Sequence, residues 1–251
     1  MNKQWLLGLS LLSPFCFAQT LQLDTQGLHQ FKIEAGSGDL QVKGEAGLSQ
    51  IQVEAKARYH SGEPLEAENY QLTLAAEKGT ARLIAQTNPH ISNAYIDVVV
   101  RMPANLMLDI ADGSGDMQVS DIKAAVKIQD GSGDMRVSRI GGEMHINDGS
   151  GDIHITQVAG SIEAKDASGE VRISEIQGDI HLVDASGGIW IQDVQGDIRL
   201  FDSSGDIEVD KVTGLVEVED GSGDIEVNDA QRFVLKRDGS GDVELSNIRE
   251  R

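Results

Sequence analysis

The feature that most constrains this chain is a repeat of eighteen residues without insertions. The motif Asp-(Gly/Ala/Ser)-Ser-Gly recurs at that interval, beginning at Asp112, Asp130, Asp148, Asp166, Asp184, Asp202, Asp220 and Asp238. Such regularity is typical of repeat architectures, in which each unit buries its apolar face only against its neighbours. Each unit is therefore expected to form one rung of a stack.

A weaker repeat of nine residues within each unit decides between helix and strand. From Gly115 onwards, glycine occupies thirteen of fifteen positions spaced by nine, and the second residue after each position is apolar. In a helix, nine residues advance by about two and a half turns, so successive apolar side chains would point to opposite sides. Short strands with the second and fourth residues facing inward satisfy the pattern, and the β-branched content agrees.

The sequence therefore predicts an all-β, single-stranded parallel β-solenoid (β-helix) whose rungs each contain two short strands. We expect the repeats to span residues 112–251. Residues 19–111 are expected to form an irregular N-terminal β region that caps the solenoid and continues into it, since Gly36-Ser37-Gly38-Asp39 resembles one copy of the motif.

The last repeat is the least regular. Lys236 faces inward in the register of the repeat, whereas a slip of one residue would bury Phe233 and Leu235 instead. The polar tail, residues 246–251, is expected to close the open edge, where charge discourages pairing with other strands.

The N-terminus has the layout of a signal peptide in residues 1–18. Lys3 precedes an apolar run at 5–12, and cleavage is expected before Gln19. Cleavage would remove Cys16, the only cysteine, so the mature chain would have no disulfide. We expect an exported protein that is periplasmic, associated with the outer surface, or secreted.

The charge balance limits the class of partner. The chain has 41 acidic and 21 basic residues, a formal net charge of -20. This charge disfavours nucleic acid and anionic membrane surfaces as partners. Beyond the N-terminus no apolar segment approaches the length needed for membrane insertion. A protein or another envelope macromolecule of unknown identity is the expected partner.

The repeated Asp-Gly-Ser-Gly-Asp-Ile-x-Val units, the preceding segment Val98–Pro103 and the exported N-terminus resemble the putative-adhesin β-strand-repeat family of bacterial envelope proteins. That family is similar to the head GIN domain. The resemblance covers nearly all of the mature chain, and it implies a β-helical fold, an envelope or secreted location and no catalytic residues.

The aspartates are the first candidates for chemistry. Stacked rungs would align the motif aspartates in one column and the acids four residues later in a second, so neighbouring carboxylates would repel. Two compensations remain open: hydrogen bonds from turn N–H groups to the aspartates, or calcium. The calcium candidates are Asp130, Asp134, Asp148, Asp152, Asp220 and Asp224. The spacing of these residues does not match the calcium-binding nonapeptide repeat. Apart from calcium, no cofactor is expected.

One outward column is less uniform than the rest, and it supplies candidates for partner contact. Its middle is basic and aromatic, with Arg136, His154, Arg172 and Trp190, and its C-terminal part is acidic. Trp190 is expected either to stack on Arg172 or to contact a partner. A serine in every rung and histidines without ligand spacing give no support for a catalytic triad or a zinc site.

These observations predict a non-enzymatic, adhesin-like binding or scaffold protein of the envelope that presents a rigid acidic surface. One alternative is a calcium-stabilised structural module. Another is a β-helix enzyme acting on polysaccharide, which the absence of long loops in the repeats disfavours.

Overall fold

The computed structural model describes residues 18–250, which form twenty-one strands and one short 3-10 turn, Ala67–Asn69. Strands β1 to β9 are Ala18–Asp24, Gln30–Ala35, Leu40–Glu45, Gln50–Tyr59, Tyr70–Glu77, Thr80–Thr87, Ala94–Pro103, Met107–Ala111 and Met117–Ser120. Strands β10 to β21 are Val126–Asp130, Met135–Ile140, Met144–Asp148, Ile153–Val158, Ile162–Asp166, Val171–Ile176, Ile180–Asp184, Ile189–Val194, Ile198–Asp202, Ile207–Glu219, Ile225–Arg237 and Val243–Ser246.

The strands form two stacks on opposite sides of one interior. The first stack runs β5–β6–β2–β8–β10–β12–β14–β16–β18, and the second runs β1–β4–β7–β3–β9–β11–β13–β15–β17. The long strands β19 and β20 pass around a corner and contribute to both stacks, and β21 ends the second. From β8 onwards every pairing is parallel, so the predicted parallel β-solenoid with two strands per rung is confirmed.

The register follows the eighteen-residue period. Ile153 pairs with Val171, which pairs in turn with Ile189, and all three side chains are at most 1% exposed. The buried aliphatic residues of successive rungs therefore form one continuous interior, as the repeat predicts.

The N-terminal region continues the stack in an order that differs from the chain order. Strands β2 and β3 form a rung that lies between the rung β6–β7 and the rung β8–β9. The corner between β2 and β3 is the segment Gly36–Asp39, and Ser37 bridges to Ser114 of the first motif copy. Antiparallel strands β1, β4 and β5 then form the N-terminal end.

Glycine is required at the motif corner for two reasons. Gly133 has φ +131°, and a Cβ atom there would lie 2.1 Å from the carbonyl oxygen of Gly115, one rung away. The same conformation and close approach recur at the last glycine of each copy, so the rungs touch backbone to backbone at this corner.

The opposite corner contains a feature that the sequence did not reveal. One residue in each rung, never glycine, adopts a left-handed conformation with φ between 50° and 63°: Asp121, Arg139, Gln157, Glu175, Asp193, Lys211, Asp229 and Asn247. This residue breaks the alternation of the strand, so the apolar residue after it, such as Ile122 or Ile140, turns inward and is buried.

The C-terminal end decides between the two registers that the sequence left open and corrects one expectation. The register slips, so Phe233 pairs with Val216 and Leu235 with Val218. The inward position of Lys236 is therefore wrong, and its ammonium group lies 3.2 Å from the Glu217 carboxylate on the surface. The tail does not close the edge, because its described part bonds only to residues 228–232 of the preceding rung.

The predicted signal peptide, residues 1–18, lies outside the described residues except for Ala18, which begins β1. Among the residues that the structure describes, no helix has the length and apolar character needed to cross a membrane.

Candidate functional site

The motif aspartates point into the solenoid and form what we call the inner acid column. Its members are Asp112, Asp130, Asp148, Asp166, Asp184, Asp202 and Asp220, and the last six are at most 7% exposed. The parity of the strands explains this orientation, because each aspartate lies two residues beyond a buried aliphatic residue of the same strand. Asp238, the eighth copy, lies at the open end and is exposed.

One carboxylate oxygen of each inner aspartate from Asp130 onwards accepts a backbone hydrogen bond from the turn that follows. The Gly149 N–H donates to Asp148 Oδ1 at 2.9 Å, and the Ser186 N–H donates to Asp184 Oδ1 at 3.3 Å. Equivalent bonds bind Asp130, Asp166, Asp202 and Asp220. These bonds give the aspartates a turn-forming role.

The second oxygen of each inner carboxyl is buried without a hydrogen-bond partner in the described structure. This holds for Oδ2 of all seven residues, and for Oδ1 of Asp112 as well. Burial, reinforced by the charges of Asp130 and Asp166, raises the pKa of Asp148 to about 7. Burial and neighbouring carboxylates likewise raise the pKa of Asp112 and Asp202 to about 7 and that of Asp184 to about 6.

A second line of acids, the outer acid column, lies on the surface beside the same corner. Its members are Asp39, Asp116, Asp134, Asp152, Glu170, Asp206, Asp224 and Asp242. Asp134 Oδ1 accepts the Asp152 N–H at 3.2 Å, and Asp152 Oδ1 accepts the Glu170 N–H at 3.0 Å. The aspartates thus link successive rungs, which compensates part of their mutual repulsion.

The calcium candidates are divided between these two columns. Asp130, Asp148 and Asp220 belong to the inner column and are buried, whereas Asp134, Asp152 and Asp224 belong to the outer column and lie at the surface. Within residues 18–250, no three acidic, histidine or cysteine side chains converge in a way that could hold a metal ion.

The four partner-contact candidates lie side by side on the second stack, and we call them the basic–aromatic strip. Arg136 pairs with His154, His154 with Arg172, and Arg172 with Trp190, so the side chains are about 4.8 Å apart along the rod. All four face outward. The arginines extend toward the outer acid column: Arg136 lies 3.9 Å from Asp134, and Arg172 forms an ion pair with Glu170.

The indole of Trp190 packs against two residues on the surface of the rod. The guanidinium carbon of Arg172 lies 4.5 Å from the centroid of the indole, within the range of a cation–π contact. The ring also covers Gly188, because a Cβ atom at Gly188 would lie 2.3 Å from it. Gly188 occupies the place where the outer acid column has an acid in the other rungs, so that gap accommodates the indole.

A comparison with solved structures supports this fold. A crystal structure of a putative lipid binding protein from Parabacteroides distasonis superposes with a TM-score of 0.50 at 16% identity, covering 93% of this chain and 95% of that one. At this identity the likeness concerns the fold alone. A putative adhesin from Bacteroides fragilis gives a TM-score of 0.46 at 14% identity, with 92% and 97% covered.

No curated protein matches the chain. The sequence profile described as Toastrack DUF4097 matches residues 20–182, which include the N-terminal rungs and the first four copies of the motif. The match extends over more than half of the chain, and it confirms the predicted resemblance to a putative-adhesin family. The chain therefore belongs to the Toastrack DUF4097 family.

Proposed function

We propose that this protein is an exported, non-enzymatic, adhesin-like binding or scaffold protein of the bacterial envelope. The observation that supports this function best is the basic–aromatic strip, in which Trp190 packs on Arg172 and over Gly188 at the surface of the rod. The partner is a protein or another envelope macromolecule that contacts the strip.

The rod is suited to holding a contact surface in a fixed position. Every rung from β8 onwards is bonded to its neighbours through two parallel ladders, and the acids of the outer column add bonds between many of the rungs. Side chains on such a scaffold keep their spacing without a partner, so little conformational entropy is lost on binding.

Charge favours a partner of mixed or basic character. The strip has two arginines, but Asp134 and Glu170 lie beside them, and the whole chain has a net charge of -20. An anionic polymer would therefore be repelled along most of the rod, whereas a protein surface with both charges could pair with the acids and pack on the indole.

The regular corners argue against an enzyme. Catalytic sites on β-solenoids need side chains gathered in a cleft, and the eighteen-residue spacing leaves no long loop to build one in residues 112–248. The repeated serines lie one in every rung, which is the arrangement of a structural residue.

The test has two steps: cell fractionation locates the protein, and site-specific photocrosslinking in cells then identifies what it contacts. A photoreactive residue replacing His154 should capture a partner, whereas the same residue at His145, which faces outward on the opposite stack, should not. Trp190→Ala should abolish the capture at position 154. The matched control is Phe201→Ala, an outward aromatic residue on the opposite stack that packs against His181. Equal capture from both positions, or capture that survives Trp190→Ala, would refute the strip as the contact surface.

A calcium-stabilised structural module is the second candidate. The unpartnered Oδ2 atoms of the inner acid column are the observation that favours it, since a cation would neutralise them. Titrating the protein with calcium while following its melting temperature tests this candidate. An unchanged melting temperature at millimolar metal would eliminate it.

A further inference from the structure

The C-terminal end of the rod is open, and its inward side chains are exposed to solvent. Leu235, Val243 and Leu245 are 37%, 38% and 46% exposed. One rung earlier, the residues that pair with them are Val218, Ile225 and Val227, and none of these is more than 1% exposed. The difference arises because, within residues 18–250, no rung covers the one that contains β21.

Two strand edges accompany this apolar surface. Among the described residues, β21 pairs only with β20, and beyond Arg232 the last part of β20 pairs only with β19. In a parallel ladder alternate residues direct their N–H and C=O groups to either side, so Val243 and Leu245 direct theirs away from the rod. Such groups can pair with another strand.

The N-terminal end differs, because antiparallel strands close it. Strands β1 and β5 contact each other across the end, and their leucines Leu21, Leu23, Leu72 and Leu74 pack against the core. The two ends are therefore not equivalent: in the described part of the chain, the C-terminal end exposes a cross-section of the interior and the N-terminal end does not.

The two open edges have opposite charges. The open edge of β20 includes Lys236 and Arg237, and the edge beside β21 includes Asp242 and Glu244. The edges lie on opposite stacks, and their strands run in opposite directions because the chain passes out along one stack and back along the other. A rotation of 180° about an axis parallel to the strands thus brings the basic edge of one copy against the acidic edge of another, antiparallel.

We propose that the C-terminal end binds a second copy of this chain through that two-fold rotation. Keeping inward side chains together fixes the register: Phe233 lies opposite the second copy's Leu245, and Leu235 opposite its Val243. In the same register Lys236 lies opposite Asp242, and Glu244 lies diagonal to Lys236. The contact occurs twice, and the symmetry closes it at two copies.

This inference is independent of the basic–aromatic strip, which lies on the side of the rod. The full chain is followed by sedimentation over a wide dilution series, where the unchanged sequence should reach twice the monomer mass. Leu245→Lys should abolish association, because it places a charge in the apolar contact. Met107→Lys is the control, since Met107 is 49% exposed on the first stack away from this end.

Charge exchange tests the register without depending on the apolar residues. Lys236→Glu and Asp242→Lys should each weaken association at least tenfold, and the double variant should restore it. Circular dichroism would show that each variant keeps the β fold. A protein that stays monomeric at every concentration, or a double variant weaker than both single ones, would overturn the proposal.

A cysteine pair checks the same register directly, in a Cys16→Ser background. Leu235→Cys combined with Val243→Cys should form a disulfide-linked dimer, whereas neither single variant should crosslink to itself. A bond within one copy is excluded, because the two residues lie on facing stacks about 10 Å apart, beyond the reach of a disulfide. Self-crosslinking of a single variant would show a different arrangement and refute this one.

Discussion

Asp148→Asn tests whether the inner acid column is under electrostatic strain. Asp148 is 4% exposed, its Oδ1 accepts the Gly149 N–H at 2.9 Å, and its Oδ2 has no partner. Asparagine has the same shape, so its Oδ1 can keep that bond while its amide group donates toward the free oxygens of Asp130 or Asp166. The substitution removes a charge without removing packing.

The raised pKa sets the size of the effect. A shift from 3.8 to about 7 corresponds to about 4 kcal/mol of destabilisation by the ionised form. Asp130 and Asp166 also have a raised pKa through burial, so the carboxyls of the column titrate together and share the strain. We therefore expect Asp148→Asn to raise the free energy of unfolding by about 1–3 kcal/mol at pH values above about 7.

The sign of the pH dependence follows from the direction of the shift. Between pH 3.8 and about 7 the folded protein binds more protons at Asp148 than the unfolded chain does. Stability therefore increases as the pH falls through this range, and the destabilisation is fully present above it. The wild type should melt at a higher temperature at about pH 5 than at about pH 8, and the advantage of Asp148→Asn should shrink at the lower pH.

The assay is urea unfolding followed by circular dichroism at both pH values. Asp134→Asn is the matched control, since Asp134 lies in the outer acid column and its side chain is 44% exposed. It should change stability equally at the two pH values. If Asp148→Asn is no more stable than the wild type at about pH 8, or if its effect is the same at both pH values, the electrostatic reasoning is wrong.

Substitutions at two corner positions, each with a comparison variant, test the corners by thermal and urea unfolding. Gly133→Ala should lower the free energy of unfolding by about 3 kcal/mol or more, because its Cβ would meet the Gly115 carbonyl at 2.1 Å. Gly47 has φ +81° but no atom within 4 Å of an added Cβ, so Gly47→Ala should lower it by only about 1 kcal/mol. Equal losses would contradict the contact argument. Gln157 has φ 60°, so Gln157→Gly should raise the free energy of unfolding by up to about 1 kcal/mol, whereas Gln157→Val should lower it. A valine variant as stable as the glycine variant would show that this conformation is not strained.

The fold could be predicted from the sequence because one spacing determines it. Each rung repeats the same inward residues, so Ile153 must lie under Val171 once the strands are parallel and insertion-free. The register slip at Phe233 could also be anticipated, since Lys236 would otherwise enter the core. The position of the rung β2–β3 could not, because a single copy of a motif gives no information about which rungs it contacts.

The column of motif aspartates was predicted, but its burial was missed although the alternation of the strand indicates it. Val126 and Ile128 face inward, and Asp130 follows them with the same parity. Carboxylates generally avoid the protein interior, so this pattern alone does not predict a buried aspartate. The structure explains the burial, because turn N–H groups donate to Oδ1 of each aspartate from Asp130 onwards. The left-handed corner residues have a weaker signal: four of the eight are Asp or Asn, which favour this conformation, but the others, such as Arg139 and Gln157, do not.

The choice of aspartate at the inner corner has a physical consequence for the length of the rod. Asparagine could accept the same turn bond without charge, but identical amides in stacked strands form ladders that extend without limit, as in amyloid. No motif copy from Asp112 to Asp238 uses asparagine. An ionised carboxylate makes each additional parallel rung less favourable, whereas the proposed two-fold contact ends the stack at two copies. Aspartate thus satisfies the turn of each rung at an electrostatic cost that grows with the number of stacked rungs.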